Sequence, residues 1–133
     1  MLSGKILDYK MLKFLTSKQK LMAHKENHDL LAALNDCIAA CHHCAYACLD
    51  EPDVKMMVAC IKTDLDCAEV CSLIARLTAR GTVHAKDFFD DCIRICEACA
   101  EECDKHAQHM EHCRECAEAC RKCAAACRTA ARL

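Results

Sequence analysis

Along most of the chain, apolar side chains recur at steps of three and four residues, and charged side chains fill the positions between them. The recurrent positions are held largely by cysteine. Cys37, Cys41, Cys44 and Cys48 form one series, Cys92, Cys96, Cys99 and Cys103 a second, and Cys113, Cys116, Cys120, Cys123 and Cys127 a third. Such steps average about 3.5, close to the helical period of about 3.6, so each series marks one stripe along one helix. A fourth series, Cys60, Cys67 and Cys71, keeps the register if position 64 is counted, and that position holds Asp64. No alternation of period two, the mark of a strand, competes with these patterns.

The few breakers set the expected boundaries. Helix A runs from about Lys18, or from Asn27 if that residue caps it, to Leu49, and Asp50, Glu51 and Pro52 make the turn. Pro52 suits the first position of helix B, which continues to Arg80, with Gly81 as the stop. Thr82 is then the cap of helix C, about Val83 to Asp104, and helix D covers about Gln108 to Arg128. Short connections make successive helices antiparallel. The expected fold is all-α, an up-down-up-down four-helix bundle over residues 18–133 with a cysteine-lined core. Residues 1–17 form an N-terminal extension in which Leu2, Ile6, Leu7, Tyr9, Leu12, Phe14 and Leu15 predict a short extra helix, capped by Ser3 and packed on the bundle or on another subunit.

Composition agrees with this reading and narrows the partners. A chain of 133 residues is long enough for one independently folding domain. Two glycines and one proline leave long helices uninterrupted. A formal charge of -2 and the absence of a basic block give no reason to expect nucleic acid or an anionic membrane as partner. Lys5, Asp8, Lys10, Lys13, Lys18 and Lys20 interrupt the apolar residues of the first stretch, which therefore reads as neither a secretory signal nor a membrane span. The expected location is the cytosol, where thiols stay reduced. Within a helix, residues three or four apart have Cβ atoms about 5–6 Å apart, too far for a disulfide.

A free buried cysteine behaves as a small hydrophobe, and one or two would need no other account. Sixteen of them confined to core stripes do. Replacing leucines by thiols gives up apolar burial of order 1 kcal/mol per site, a loss that a bound ligand filling the space offsets. Thiolates without carboxylate partners select Cu(I), zinc or iron-sulfur clusters. Four thiolates around Zn(II) leave two negative charges in the core, whereas Cu(I) shared between thiolates replaces one proton per ion and keeps the core neutral. Iron-sulfur clusters need thiolates converging from loops rather than running along helices. Multiple Cu(I) ions are the expected cargo, and a general thiolate buffer for zinc or cadmium is the alternative.

Antiparallel order places Cys48, Cys60, Cys103 and Cys113 near one end and Cys37, Cys71, Cys92 and Cys123 toward the other. Past the second group the stripes continue to Leu34, Leu30, Ile74, Phe88 and Phe89, which should seal that end with hydrocarbon. Past the first group they reach Met57 or Met56, His106 and His109, candidates for an entrance of weaker, exchangeable ligands. His112 is expected to flank the stripe, His42 and His43 to lie at the surface or an interface, and His24 and His28 to form an isolated pair.

The C-x3-C-x2-C-x3-C runs of helices A and C, the segment from Cys60 through Asp64 and Cys67 to Cys71, and His106 followed by Glu111-His112-Cys113-Arg114-Glu115-Cys116 resemble the bacterial copper storage proteins, cytosolic class. The resemblance covers about Asp36 to Arg128. It implies a four-helix bundle whose inward thiols bind many Cu(I) ions and assembly into a homotetramer. Delivery by thiol exchange from a cytosolic copper carrier or thiol donor is the expected route of loading. Asp64 is compatible with that pattern as an oxygen ligand or hydrogen-bond acceptor. An enzyme of the di-iron bundle type would need inward glutamates and Glu-x-x-His pairs, and the sequence has no such pair.

Overall fold

The computed structural model describes the backbone of residues 16–132 and the side chains of these except at positions 19–24 and 26. The expected N-terminal helix and the His24 side chain lie outside the described residues. Four helices follow in order: α1, Ser17–Leu49; α2, Val58–Arg80; α3, Phe89–Asp104; and α4, Glu111–Ala131. α1 packs on α2 and α4, and α3 packs on the same two, so the four close into a square around one core.

Three boundaries differ from the sequence reading. Pro52 does not open α2. The chain leaves α1 through hydrogen bonds from Asp50 N to Ala47 O and Glu51 N to Cys48 O, then makes a 3-10 turn over Val54–Met57. Asp53 caps that turn by accepting from the Met56 N–H, and Val58 begins α2. Thr82 likewise caps a 3-10 helix, Val83–Phe88, by accepting from the His84 N–H, so α3 begins only at Phe89. α4 begins at Glu111 because residues 105–110 are held in turns, including the bond from Met110 N to His106 O. In the first two cases a capping side chain is present but serves a 3-10 segment before the helix, and α4 begins without a side-chain cap.

Gly81 ends α2 as expected. Its φ of 72° and ψ of 24° are left-handed, and the Gly81 and Thr82 N–H groups bond to Thr78 O and Leu77 O. This is the helix stop that glycine favours, because no Cβ opposes the turn.

The core is cysteine with a hydrocarbon floor. Leu30, Leu34, Ile74 and Phe89 are buried at one end. Phe88, expected among them, is 36% exposed, since it closes the 3-10 segment rather than lying in α3. Ala45, Ala68, Ala75, Ala100, Ala117 and Ala124 are buried beside the thiol stripes. Small side chains there let the helices approach closely enough for thiols on different helices to meet. Arg121 with Asp104 and Arg128 with Glu97 pair across α3 and α4, but these exposed pairs add at most about 1 kcal/mol each. No helix among the described residues is long and apolar enough to cross a membrane.

Candidate metal centre

All sixteen cysteines are free thiols with 0% exposure. Because α-helical side chains three and four apart share a face, each stripe points its sulfurs at the axis of the bundle. At the floor, the Cys71 Sγ lies 3.8 Å from those of Cys92 and Cys123, 3.9 Å from that of Cys37 and 3.7 Å from that of Cys96. Cys127 adjoins this group through Cys123 and Cys92.

Higher up, Cys67 lies 3.7 Å from Cys37, 3.6 Å from Cys96 and 3.9 Å from Cys120. Cys120 in turn is 3.8 Å from Cys41, which is 3.8 Å from Cys116. The upper layer joins Cys60 to Cys103 at 3.6 Å and Cys44 to Cys60, Cys113 and Cys48 at 4.0, 3.8 and 3.9 Å. The grouping of Cys48, Cys60, Cys103 and Cys113 at one end follows the antiparallel layout expected from the spacing.

These sulfurs do not sort into separate pockets. Cys37 and Cys67 belong both to a set with Cys41 and Cys120 and to a set with Cys71 and Cys96, and Cys71 and Cys96 recur in a third with Cys92 and Cys123. A thiolate shared between adjacent sets can bridge two ions, so the arrangement suits linked clusters of soft monovalent metal better than isolated four-sulfur sites.

Among the described residues Asp64 is the one carboxylate in the core, and it is 0% exposed. Its Oδ1 accepts from the thiols of Cys99, Cys116 and Cys103 at 3.2, 3.3 and 3.6 Å, and Oδ2 lies 3.8 Å from Cys60. Burial, followed by the charge of Cys116, Cys99 and Cys60 when ionised, pushes its pKa up to about 11. A neutral carboxyl in the metal-free core avoids the cost of an unpaired buried charge. Burial likewise leads in pushing the Cys48 thiol up to about 12.

At the upper end the candidates separate. Met57 is fully buried and His106 is 9% exposed, while Met56 is 57% exposed and His109 lies exposed on the turn before α4. His112, expected to flank the thiols, instead faces them. Its Nδ1 lies 3.4 Å from Cys44, 3.5 Å from Cys113 and 4.0 Å from Cys48, and its Nε2 lies 2.9 Å from Glu51 Oε1. The stripe rule missed both residues. His112 sits one position off the stripe, and Glu51 reads as part of a turn. The available signal was that a side chain in a helix's first turn leans back over the helix start, here toward α1.

Comparison with known proteins places this arrangement. The copper storage protein family model matches residues 23–132. The cysteine-rich protein YhjQ of Bacillus subtilis (strain 168) is 39% identical over 72 residues, covering 54% of this chain and 67% of that protein. A cytosolic copper storage protein from Streptomyces lividans, solved with five coppers, is 39% identical over 82% of this chain and 94% of its own, with a TM-score of 0.78. The Cu(I)-bound copper storage protein BsCsp3 is 37% identical over 80% of this chain and 98% of its own, with a TM-score of 0.75. With the family match running through all four thiol-bearing helices, the chain belongs to the copper storage protein family.

Proposed function

We propose that this chain stores and detoxifies Cu(I) in the cytosol, holding many ions on the thiolates of its bundle. The carrying observation is the continuous network of sixteen buried thiols, in which sulfurs on different helices approach to 3.6–4.0 Å. Cu(I) is satisfied by two or three thiolates, and each bound ion that releases a thiol proton leaves the buried core uncharged. The relatives supply the same cargo: one is a Cu(I)-bound storage protein and another a cytosolic one loaded with five coppers.

The ligands in this reading are the sixteen cysteines, with Asp64 accepting from the thiols that are not yet metallated. A cytosolic carrier hands Cu(I) over by thiol exchange at the open end. Met56 and His109 stand outermost there, with Met57 and His106 inside them. The ion then passes between neighbouring thiolates toward the hydrocarbon floor. No catalytic step is assigned. The family resemblance also supports a homotetramer. Tyr46 and Leu49 on α1 and Val58 and Leu65 on α2 are exposed and available for such contacts.

An anaerobic Cu(I) titration of the reduced protein against a chromogenic chelator tests the storage reading. Tight uptake approaching about one ion per thiol is expected. Saturation at one or a few ions would overturn it.

A further inference from the structure

We propose that the open end of the bundle is a docking surface for a Cu(I) carrier protein whose metal-binding thiols are ringed by lysine or arginine, and that its charge disfavours anionic low-molecular-weight thiol complexes as donors. The proposal rests on the storage reading and gives the partner of that opening its chemistry. Two stretches build this end, residues 50–57 between α1 and α2 and residues 101–115 from the end of α3 into α4. They meet where His112 Nε2 lies 2.9 Å from Glu51 Oε1. Together they hold eight acidic side chains against three basic ones, a formal net charge of -5. Residues 25–36, 76–91 and 121–132, toward the floor, hold six acidic side chains against eight basic ones, a net of +2. The bundle is therefore polarised along its axis, with the negative charge gathered at the mouth.

Ion pairing does not remove this charge. Lys105 pairs with Glu102, Arg114 with Glu111 and Arg121 with Asp104, whereas Asp50, Glu101 and Glu115 are exposed and in no salt bridge among the described residues. A second observation marks the same place as a point of transfer. His106, 9% exposed, lies within the acidic stretch, and its ring makes no hydrogen bond among the described residues while its nitrogens keep contact with solvent. Val54 and Met56, 37% and 57% exposed, stand on the 3-10 turn of this end. Apolar side chains set among charged ones are the makings of a protein interface, which a small thiol complex does not need. At physiological ionic strength the field reaches about 8 Å, so it acts on a partner already at the mouth. There, a surface of one sign raises the on-rate of an oppositely charged partner about 10–1,000-fold. The exchange itself is balanced. Cu–S bonds to the carrier break as bonds to this chain's sulfurs form, copper stays Cu(I), and the displaced thiol proton passes to the released carrier thiolate.

The test is anaerobic stopped-flow transfer of Cu(I) to the reduced full-length chain from two synthetic peptides that share a Cys-x-x-Cys pair, one flanked by lysines and the other by glutamates. At low salt the lysine peptide should load the wild type at least about 10-fold faster. In about 1 M salt, where the screening length is about 3 Å, that advantage should disappear. Asp50→Asn, Glu101→Gln and Glu115→Gln together should cut it at least about threefold. The same change in net charge placed away from the mouth, with Asp29→Asn, Glu69→Gln and Asp90→Asn, should leave it unchanged. None of these residues is a proposed ligand, circular dichroism identifies any variant that has lost its helices, and the salt series on the wild type needs no variant. Equal rates for the two peptides, or an advantage that survives both salt and the mouth substitutions, overturns the docking surface. The chelator titration keeps the two readings apart: full Cu(I) capacity without a charge preference sinks the docking surface alone, and saturation at one or a few ions sinks the storage reading on which it rests.

Discussion

The Cys99 thiol donates to Asp64 Oδ1 across 3.2 Å, from α3 to a carboxyl on α2 that has no solvent exposure. A buried acid surrounded by thiols makes the metal-free protein sensitive to pH. With its pKa raised to about 11, Asp64 holds a proton in the folded chain that it loses near pH 4 when unfolded. Between those values the folded state holds a proton at Asp64 that the unfolded chain has lost, so the stability this group contributes is full below about pH 4 and falls as pH rises. Urea unfolding of the reduced apoprotein between about pH 5 and about pH 8 should show that decline, and Asp64→Asn should flatten it. Equal slopes for the two proteins would mean that Asp64 titrates normally.

The middle of the core is where sulfurs are shared most. Cys67 meets Cys37, Cys96 and Cys120, and Cys120 meets Cys41. Changing Cys41, Cys67, Cys96 and Cys120 together to serine replaces soft ligands with hard ones of similar size. Cu(I) capacity should fall by at least the four lost thiolates, with helical content preserved. Undiminished capacity would show that these thiols are not ligands.

Much of this could be read from spacing alone. Steps of three and four located four helices and the thiol stripes, and the same register put Asp64 in the core. The floor was legible at Leu34 and Ile74, because both continue a stripe. Legibility failed where a local signal has two outcomes. Asp53 and Thr82 are genuine caps, yet each caps a 3-10 segment, and only packing decides how soon the α-helix follows. His112 and Glu51 were hidden for another reason. Their meeting depends on how the start of α4 sits against the end of α1, a relation across 61 positions that no periodicity encodes.

Gly81 offers a test of stability that leaves the metal core intact. Its φ is 72° and a Cβ added there would meet nothing within 4 Å, so the whole cost of Gly81→Ala lies in the backbone. A left-handed non-glycine residue costs about 1–2 kcal/mol. Chemical denaturation should show a loss of about that size with Cu(I) capacity unchanged. A neutral substitution would mean that the α2–α3 connection relaxes to another geometry.

The final prediction concerns metal and folding together. Thiols fill less space than the leucines usual at core positions, so the apoprotein gives up burial that a normal bundle would have. Each bound ion ties sulfurs from different helices: Cys67 on α2, for example, has neighbours on α1, α3 and α4. Unfolded cysteines also bind Cu(I), so loading stabilises only by the excess affinity of the assembled network. That excess should be large, because bridging needs sulfurs already held about 4 Å apart, whereas an unfolded chain must order its backbone to gather them. Anaerobic calorimetry at increasing Cu(I) loading should therefore show Tm rising stepwise with each addition and returning to the apo value when a strong chelator strips the metal. A Tm indifferent to loading would mean that the thiols bind as well unfolded as folded, and that the bundle contributes burial of the cargo but no preorganisation.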